Sequence, residues 1–213
     1  MLSSWIAAAA LAAGNTPPDT PPSAFRVGTV AFNLPVPEGF CLPEGEDAAA
    51  AQLIAASDRD NVTHLSLLQC DEKRRWIDYF LIKTPTVALM ATMTNAELQQ
   101  AVEPELAKGF NSDEIVASVS KEVSDTFRSK VDLKGQIVFL GKDESCLYLG
   151  GVFDVAGANG TGYTLAMAQC MTVVEGKMLS IYRYGGGKGR KAVEALMPST
   201  KILAKAIRPT SPR

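Results

Sequence analysis

A chain of 213 residues, 46% of them apolar, is long enough to bury one sizeable core, and no internal repeat or second linker divides it. Its 21 basic and 23 acidic side chains are scattered and leave a formal net charge of −2, so there is no electrostatic footprint for nucleic acid. One histidine and four cysteines that read as oxidised leave almost no donors for a transition metal, and no stretch spaces its carboxylates as a calcium loop does.

In chain order, residues 1–14 (MLSSWIAAAALAAG) form a short apolar run with no Lys or Arg ahead of it. Ala10-Leu11-Ala12 and Ala12-Ala13-Gly14 both put small side chains where a signal peptidase reads. The segment is predicted to be a signal peptide cleaved between Ala12 and Gly14, and it is too short to be a good membrane span. A disordered alanine-rich start is the competing reading. Residues 15–25 follow as a Pro-rich linker, 26–207 as one globular domain, and 208–213 as a tail.

Within the domain, residues 27–43 read as a strand ending in a Pro/Gly turn and 46–57 as a short Ala-rich helix. Residues 61–72 and 74–84 read as two strands joined by a charged turn at Asp71–Lys73, whereas 84–93 has no clear period. Thr94-Asn95-Ala96-Glu97 fits a capping box and opens a helix through Leu98, Val102 and Leu106, with a kink or break at Pro104. Ser112 is the expected cap of a second helix, on which Ile115, Val116, Val119, Val123 and Phe127 share one face. A four-stranded meander then covers 136–141, 145–154, 162–174 and 177–184. The closing helix, 189–207, offers Val193, Leu196, Ile202, Leu203 and Ile207, with a break at Pro198.

The cysteines follow from that meander. Opposed residues of an antiparallel pair have numbers of constant sum, and a turn centred on Ala158 and Asn159 makes that sum about 316–317. Cys146 and Cys170 meet it, so a Cys146–Cys170 bond is expected, which leaves Cys41 for Cys70. Four reduced, buried cysteines are the alternative if the first residues are not a signal. In the same register Gly150, Ala166 and Ala168 share the cysteine face, a row of small side chains that lets a helix come close. Leu147, Leu149, Met167, Met171 and Val173 line the other face and need cover too. The fold class that results is a three-layer α/β/α sandwich around a mostly antiparallel sheet.

Three groups of residues invite a chemical reading. His64 is the one histidine, but no G-x-S-x-G elbow accompanies it, so a hydrogen-bonded structural role is favoured over a hydrolase. Gly186, Gly187, Lys188, Arg190 and Lys191 combine a glycine-rich turn, a helix start and three cations, which suits a small anion, yet the spacing matches no phosphate-loop motif. Arg74, Arg75, Trp76 and Tyr79 form a basic-aromatic cluster that suits a partner surface. Asn61 and Asn159 stand in glycosylation sequons.

The opening Phe32, Pro35, Pro37, Gly39 and Phe40, followed by NVTHLSLLQC, helices, a meander and a closing helix, resembles the PsbP-like family of α/β/α sandwiches and its bacterial secreted relatives. The resemblance spans about residues 26–207, and the four cysteines match no pattern of that family. It implies an accessory or binding role, with no catalytic residue and no cofactor to carry over. The expectation is therefore a secreted or periplasmic accessory protein without catalytic activity whose partner is unknown, an envelope protein being the candidate. An envelope hydrolase using His64, and a small-anion binder at residues 185–191, are the alternatives.

Overall fold

The computed structural model describes residues 23–157 and 162–210; the expected signal peptide and the Asn159 sequon lie outside the described residues. The first elements are β1 (Ser23–Val27), β2 (Val30–Leu34) and the two-residue β3 (Phe40–Cys41), followed by α1 (Gly45–Ser57), β4 (Asn61–Gln69) and β5 (Tyr79–Pro85). A short 3-10 turn (Thr86–Ala88) leads to α2 (Asn95–Ala107) and α3 (Ser112–Phe127). The meander is β6 (Val131–Lys142), β7 (Leu147–Gly157), β8 (Gly162–Val174) and β9 (Lys177–Gly186). It is closed by α4 (Gly189–Ala206) and the short β10 (Arg208–Pro209). Seven strands form one antiparallel sheet in the order β3-β4-β5-β9-β8-β7-β6, and β1, β2 and β10 form a small second sheet.

The expected sandwich is present. On one face, Leu98 of α2 packs on Leu147, Leu149 and Met171, and Val116 of α3 packs on Phe153 and Met167. On the other, the small sheet and α4 bury Phe32, Leu34, Leu203 and Ile207 against Leu67, Ile82 and Ile181. The row of small residues does what the sequence suggests. Ala166 and Ala168 are covered by Val193, and a Cβ on Gly150 would lie 2.3 Å from the Val193 side chain. Among the described residues no helix is long and apolar enough to cross a membrane.

Both cysteine pairs are bonded, Cys41 to Cys70 at 2.01 Å and Cys146 to Cys170 at 2.10 Å. The register differs from the expected one by two. Tyr148, not Cys146, stands opposite Cys170, and Gly150 opposite Ala168. Because strand side chains alternate, a shift of two keeps every residue on its face. Cys146 sits just before β7 and reaches Cys170 from the turn, with the Cα atoms 5.2 Å apart.

Other expectations need correction. Residues 27–43 are not one strand: Gly28, at φ +56, turns the chain back, and its bare Cα lets the Leu89 carbonyl oxygen approach within 2.6 Å of where a Cβ would stand. Ser23, Ala24 and Phe25, read as linker, belong to β1, and Arg208 and Pro209, read as tail, pair with β2. Residues 74–78 turn instead of extending, with the N–H groups of Ile77 and Asp78 both donating to the Arg74 carbonyl. Pro104 and Pro198 sit inside α2 and α4 without ending them. For Pro198, buried Val193 on one side and Leu203 and Ala204 on the other hold the helix through the missing hydrogen bond. The Thr94–Glu97 capping box is formed as expected.

The second expected cap is displaced. Asn111, not Ser112, accepts from the Glu114 N–H, while the Ser112 hydroxyl accepts from the N–H of Ile137 at 2.6 Å. Ser120 and Ser124 likewise bond the Val131 and Leu133 backbone. These three serines fasten α3 along the outer edge of β6, a placement that helical periodicity does not reveal. Val116 is buried, but Ile115, Val119 and Phe127 stay 40–42% exposed.

One junction ties the layers together. The Asp143 carboxylate accepts from the N–H groups of Ser145 and Cys146, from the Tyr148 hydroxyl and from the Lys201 ammonium of α4. Partial burial alone would raise its pKa, but these donors, Lys201 first, outweigh it and hold it at about 2. A depressed carboxylate pKa contributes stability above its unfolded value, and that contribution fades as pH falls from about 4 towards 2. Asp143→Asn should therefore cost about 1–2 kcal/mol at neutral pH, discounted for a pair about a third exposed, and almost nothing at pH ~2. Urea melts of both proteins at the two pH values check this.

Candidate functional site

The residues of the Pro-x-Pro-x-Gly-Phe opening line a cleft. Pro35 and Pro37 lack N–H donors, so the chain leaves β2 at Leu34 without pairing on. Gly39 at φ +80 allows a tight turn, closed by Phe40 N–H to the Pro37 carbonyl at 3.0 Å. Phe40 then packs edge-on against Phe80, ring centres 4.9 Å apart, and the Arg183 guanidinium lies 4.9 and 4.8 Å from the two rings. Arg183 pairs with buried Asp78 and donates to the Tyr79 and Tyr184 carbonyls. Cys41, the next residue, is tied to Cys70. The strand β3 is thus held by an aromatic anchor on one side and a covalent bond on the other.

The cleft in front of it is a broad depression, open to solvent, of about 790 Å³. Its walls include apolar Pro35, Val36, Leu42, Pro43 and Leu68. Its charged members are Glu38, Glu44, Asp47 and Arg75. The Asp47 carboxylate accepts from Arg75 at 2.5 Å and from the Trp76 indole N–H at 2.8 Å. Hydrogen bonds from Arg75 and then Trp76 pull the Asp47 carboxyl below its ordinary pKa, so it is ionised and neutralised in place. Glu38 and Glu44 are exposed and, among the described residues, have no ion-pair partner. The result is an open trough of mixed polar and apolar surface, with exposed Glu38 and Glu44 among its lining residues.

The structure uses the three chemically suggestive groups differently. Arg74 pairs with Asp78, Arg75 and Trp76 bind Asp47, and Tyr79 stacks on Tyr184 with ring centres 4.5 Å apart. Because residues 74–78 are a turn, Arg75, Trp76 and Tyr79 are half-buried against neighbouring side chains while Arg74 stays exposed. Of this cluster Arg75 alone lines the cleft. Gly186 ends β9, and the glycines around it serve close packing: a Cβ on Gly187 would stand 2.6 Å from that of Ala192. Lys188, Arg190 and Lys191 lie exposed at the start of α4, with Arg190 paired to Glu194 at 2.7 Å.

His64 occupies a bulge between Thr63 and Leu65, and its ring stacks on Phe25 at 5.5 Å. Its Nε2 lies 2.9 Å from the Thr84 hydroxyl, which itself donates to the Met178 carbonyl at 3.0 Å. A hydroxyl has one proton, so Nε2 must carry the proton of the other bond. Burial lowers the His64 pKa and keeps the ring neutral. The nitrogen facing the hydroxyl is a donor, the reverse of what a general base needs.

Two residues that matter here carry no motif of their own. Glu38 lies inside the quoted opening, and Arg183 is a lone charge within the apolar strand MLSIYRY, which is itself a signal for a buried ion pair.

No family model matches this chain, and no curated protein is similar to it in sequence. Among solved structures, the solution structure of cyanobacterial PsbP (CyanoP) from Synechocystis is similar at 9% identity, over 84% of this chain and 86% of that one, with a TM-score of 0.38. The similarity bears on no residue of the cleft. The fold assignment rests on the strand order and layers described above.

Proposed function

We propose that this chain is an accessory protein of the cell envelope that holds an extended, basic and apolar segment of a partner protein and does not turn over a substrate. The observation that carries the reading is the trough at Pro35–Glu44: walls that include Pro35, Val36, Leu42 and Pro43, exposed Glu38 and Glu44 without an ion-pair partner among the described residues, and a backbone fixed by Phe40 and the Cys41–Cys70 bond. Proline-rich, turn-bounded walls present flat apolar surface, and rim carboxylates select cationic partners chiefly through the rate of encounter. Two disulfides favour an oxidising compartment. The role of His64 in fixing a bulge favours binding over hydrolysis.

The test is direct. Short peptides alternating Lys or Arg with Pro and Leu, titrated at low salt and followed by fluorescence anisotropy, should bind the wild type. They should lose about tenfold or more with Glu38→Lys plus Glu44→Lys, a loss of about 1.4 kcal/mol, at an unchanged melting temperature. Equal binding by the reversed variant, or preference for acidic peptides, would overturn the reading. Ester, amide or phosphate turnover that disappears in His64→Ala would replace it with the hydrolase.

A further inference from the structure

The two disulfides differ in what can reach them. Cys146 and Cys170 are wholly buried within the main core cluster. Cys41 and Cys70 are both exposed, at the end of the sheet. Thiol–disulfide exchange requires a thiolate to reach a sulfur along the S–S axis, so access divides the two bonds before any difference in stability does. The attachment of β3 differs as well. It contributes only two residue pairs to β4, Phe40 with Gln69 and Cys41 with Leu68, plus one flanking bond from Cys70 N–H to the Gly39 carbonyl at 2.9 Å. So small a ladder makes the covalent link a large share of what holds the cleft wall.

We propose that Cys41–Cys70 is an exchangeable latch, opened by a dithiol of the thioredoxin class, while Cys146–Cys170 stays closed. One thiolate of the donor attacks the Cys41 sulfur, forming a mixed disulfide and releasing Cys70 as a thiolate. The donor's second thiol, deprotonated, attacks its own sulfur in that mixed disulfide and releases Cys41. The donor is oxidised by two electrons to its disulfide, the protein pair is reduced, and the donor's two protons end on Cys41 and Cys70. Opening leaves β3 held only by its two-pair ladder and the Phe40 anchor, which loosens the trough wall and leaves the core intact. The effect on binding rests on the trough reading above; the exchange chemistry does not.

The experiment uses the full, oxidised chain, treated under native conditions with dithiothreitol or with reduced thioredoxin, then iodoacetamide and peptide mapping. Cys41 and Cys70 should be alkylated while the Cys146–Cys170 peptide pair is recovered linked, with near-ultraviolet circular dichroism unchanged. Hydrogen exchange should rise at residues 39–42 and 68–70. Simultaneous opening of both bonds, earlier opening of Cys146–Cys170, or resistance of Cys41–Cys70 until the chain unfolds would overturn the proposal. So would failure of Cys41→Ser with Cys70→Ser to keep the native near-ultraviolet signal, since the bond would then be structural. Selective alkylation without any change in peptide affinity would uphold the latch and remove the trough reading.

Discussion

Replacing Arg183 by alanine is expected to cost about 3–5 kcal/mol of stability, the range for leaving one partner of a buried ion pair alone. The Arg183 side chain is 12% exposed and that of Asp78 6%, whereas Arg74, the other cation at Asp78, is 58% exposed. Arg74 therefore offers a solvent-screened contact and cannot stand in for the guanidinium. The substitution also removes the guanidinium that lies over the Phe40 and Phe80 rings, so loss of packing adds to loss of charge. Arg183→Met combined with Asp78→Asn should lose much less than the single alanine, because no buried charge is left unpaired. Urea unfolding of the three proteins decides it. A cost under about 1 kcal/mol for Arg183→Ala would show that Asp78 is solvated.

Removing the buried disulfide, as Cys146→Ala with Cys170→Ala, should cost about 2–5 kcal/mol. The loop-entropy term cannot distinguish the two bonds: separations of 24 and 29 residues differ by only about 0.2 kcal/mol on that scale. Any larger gap between the two double variants therefore reports packing. The buried sulfurs fill core volume next to Tyr148 and Ile181, and the exposed ones do not. We expect the Cys146/Cys170 variant to be the weaker by 1 kcal/mol or more on that ground. Equal midpoints in urea would refute the packing argument.

What could be read from the sequence was what a few neighbouring residues decide. Thr94 and Glu97 form their box because both partners lie within one turn. The faces of β7 and β8 were legible because parity survives a slip of two, although the exact register depended on a connector whose length alone does not set its centre. The β1–β2 hairpin was missed because Val27-Gly28-Thr29-Val30 looks like a strand with one glycine inside it. Arg74 to Ile77 was read as strand because Trp76 and Ile77 favour one, but the flanking acids Asp71 and Asp78 and the Arg74 carbonyl draw it into a turn. The site was half visible. Pro35, Pro37, Gly39 and Phe40 announced an unusual turn, whereas the trough exists only because β3 meets β4 across 29 residues.

The row of α3 serines gives the molecule a direction. Side-chain oxygens occupy donors and acceptors of β6 that would otherwise invite a neighbouring strand. At the opposite end, among the described residues, no strand pairs with the outer side of β4 before Leu68. Edge-to-edge growth needs every copy to offer two such margins, one to receive and one to pass on. Along Val131–Ile137 the β6 margin is already occupied, so a strand added there would have to displace the α3 serines.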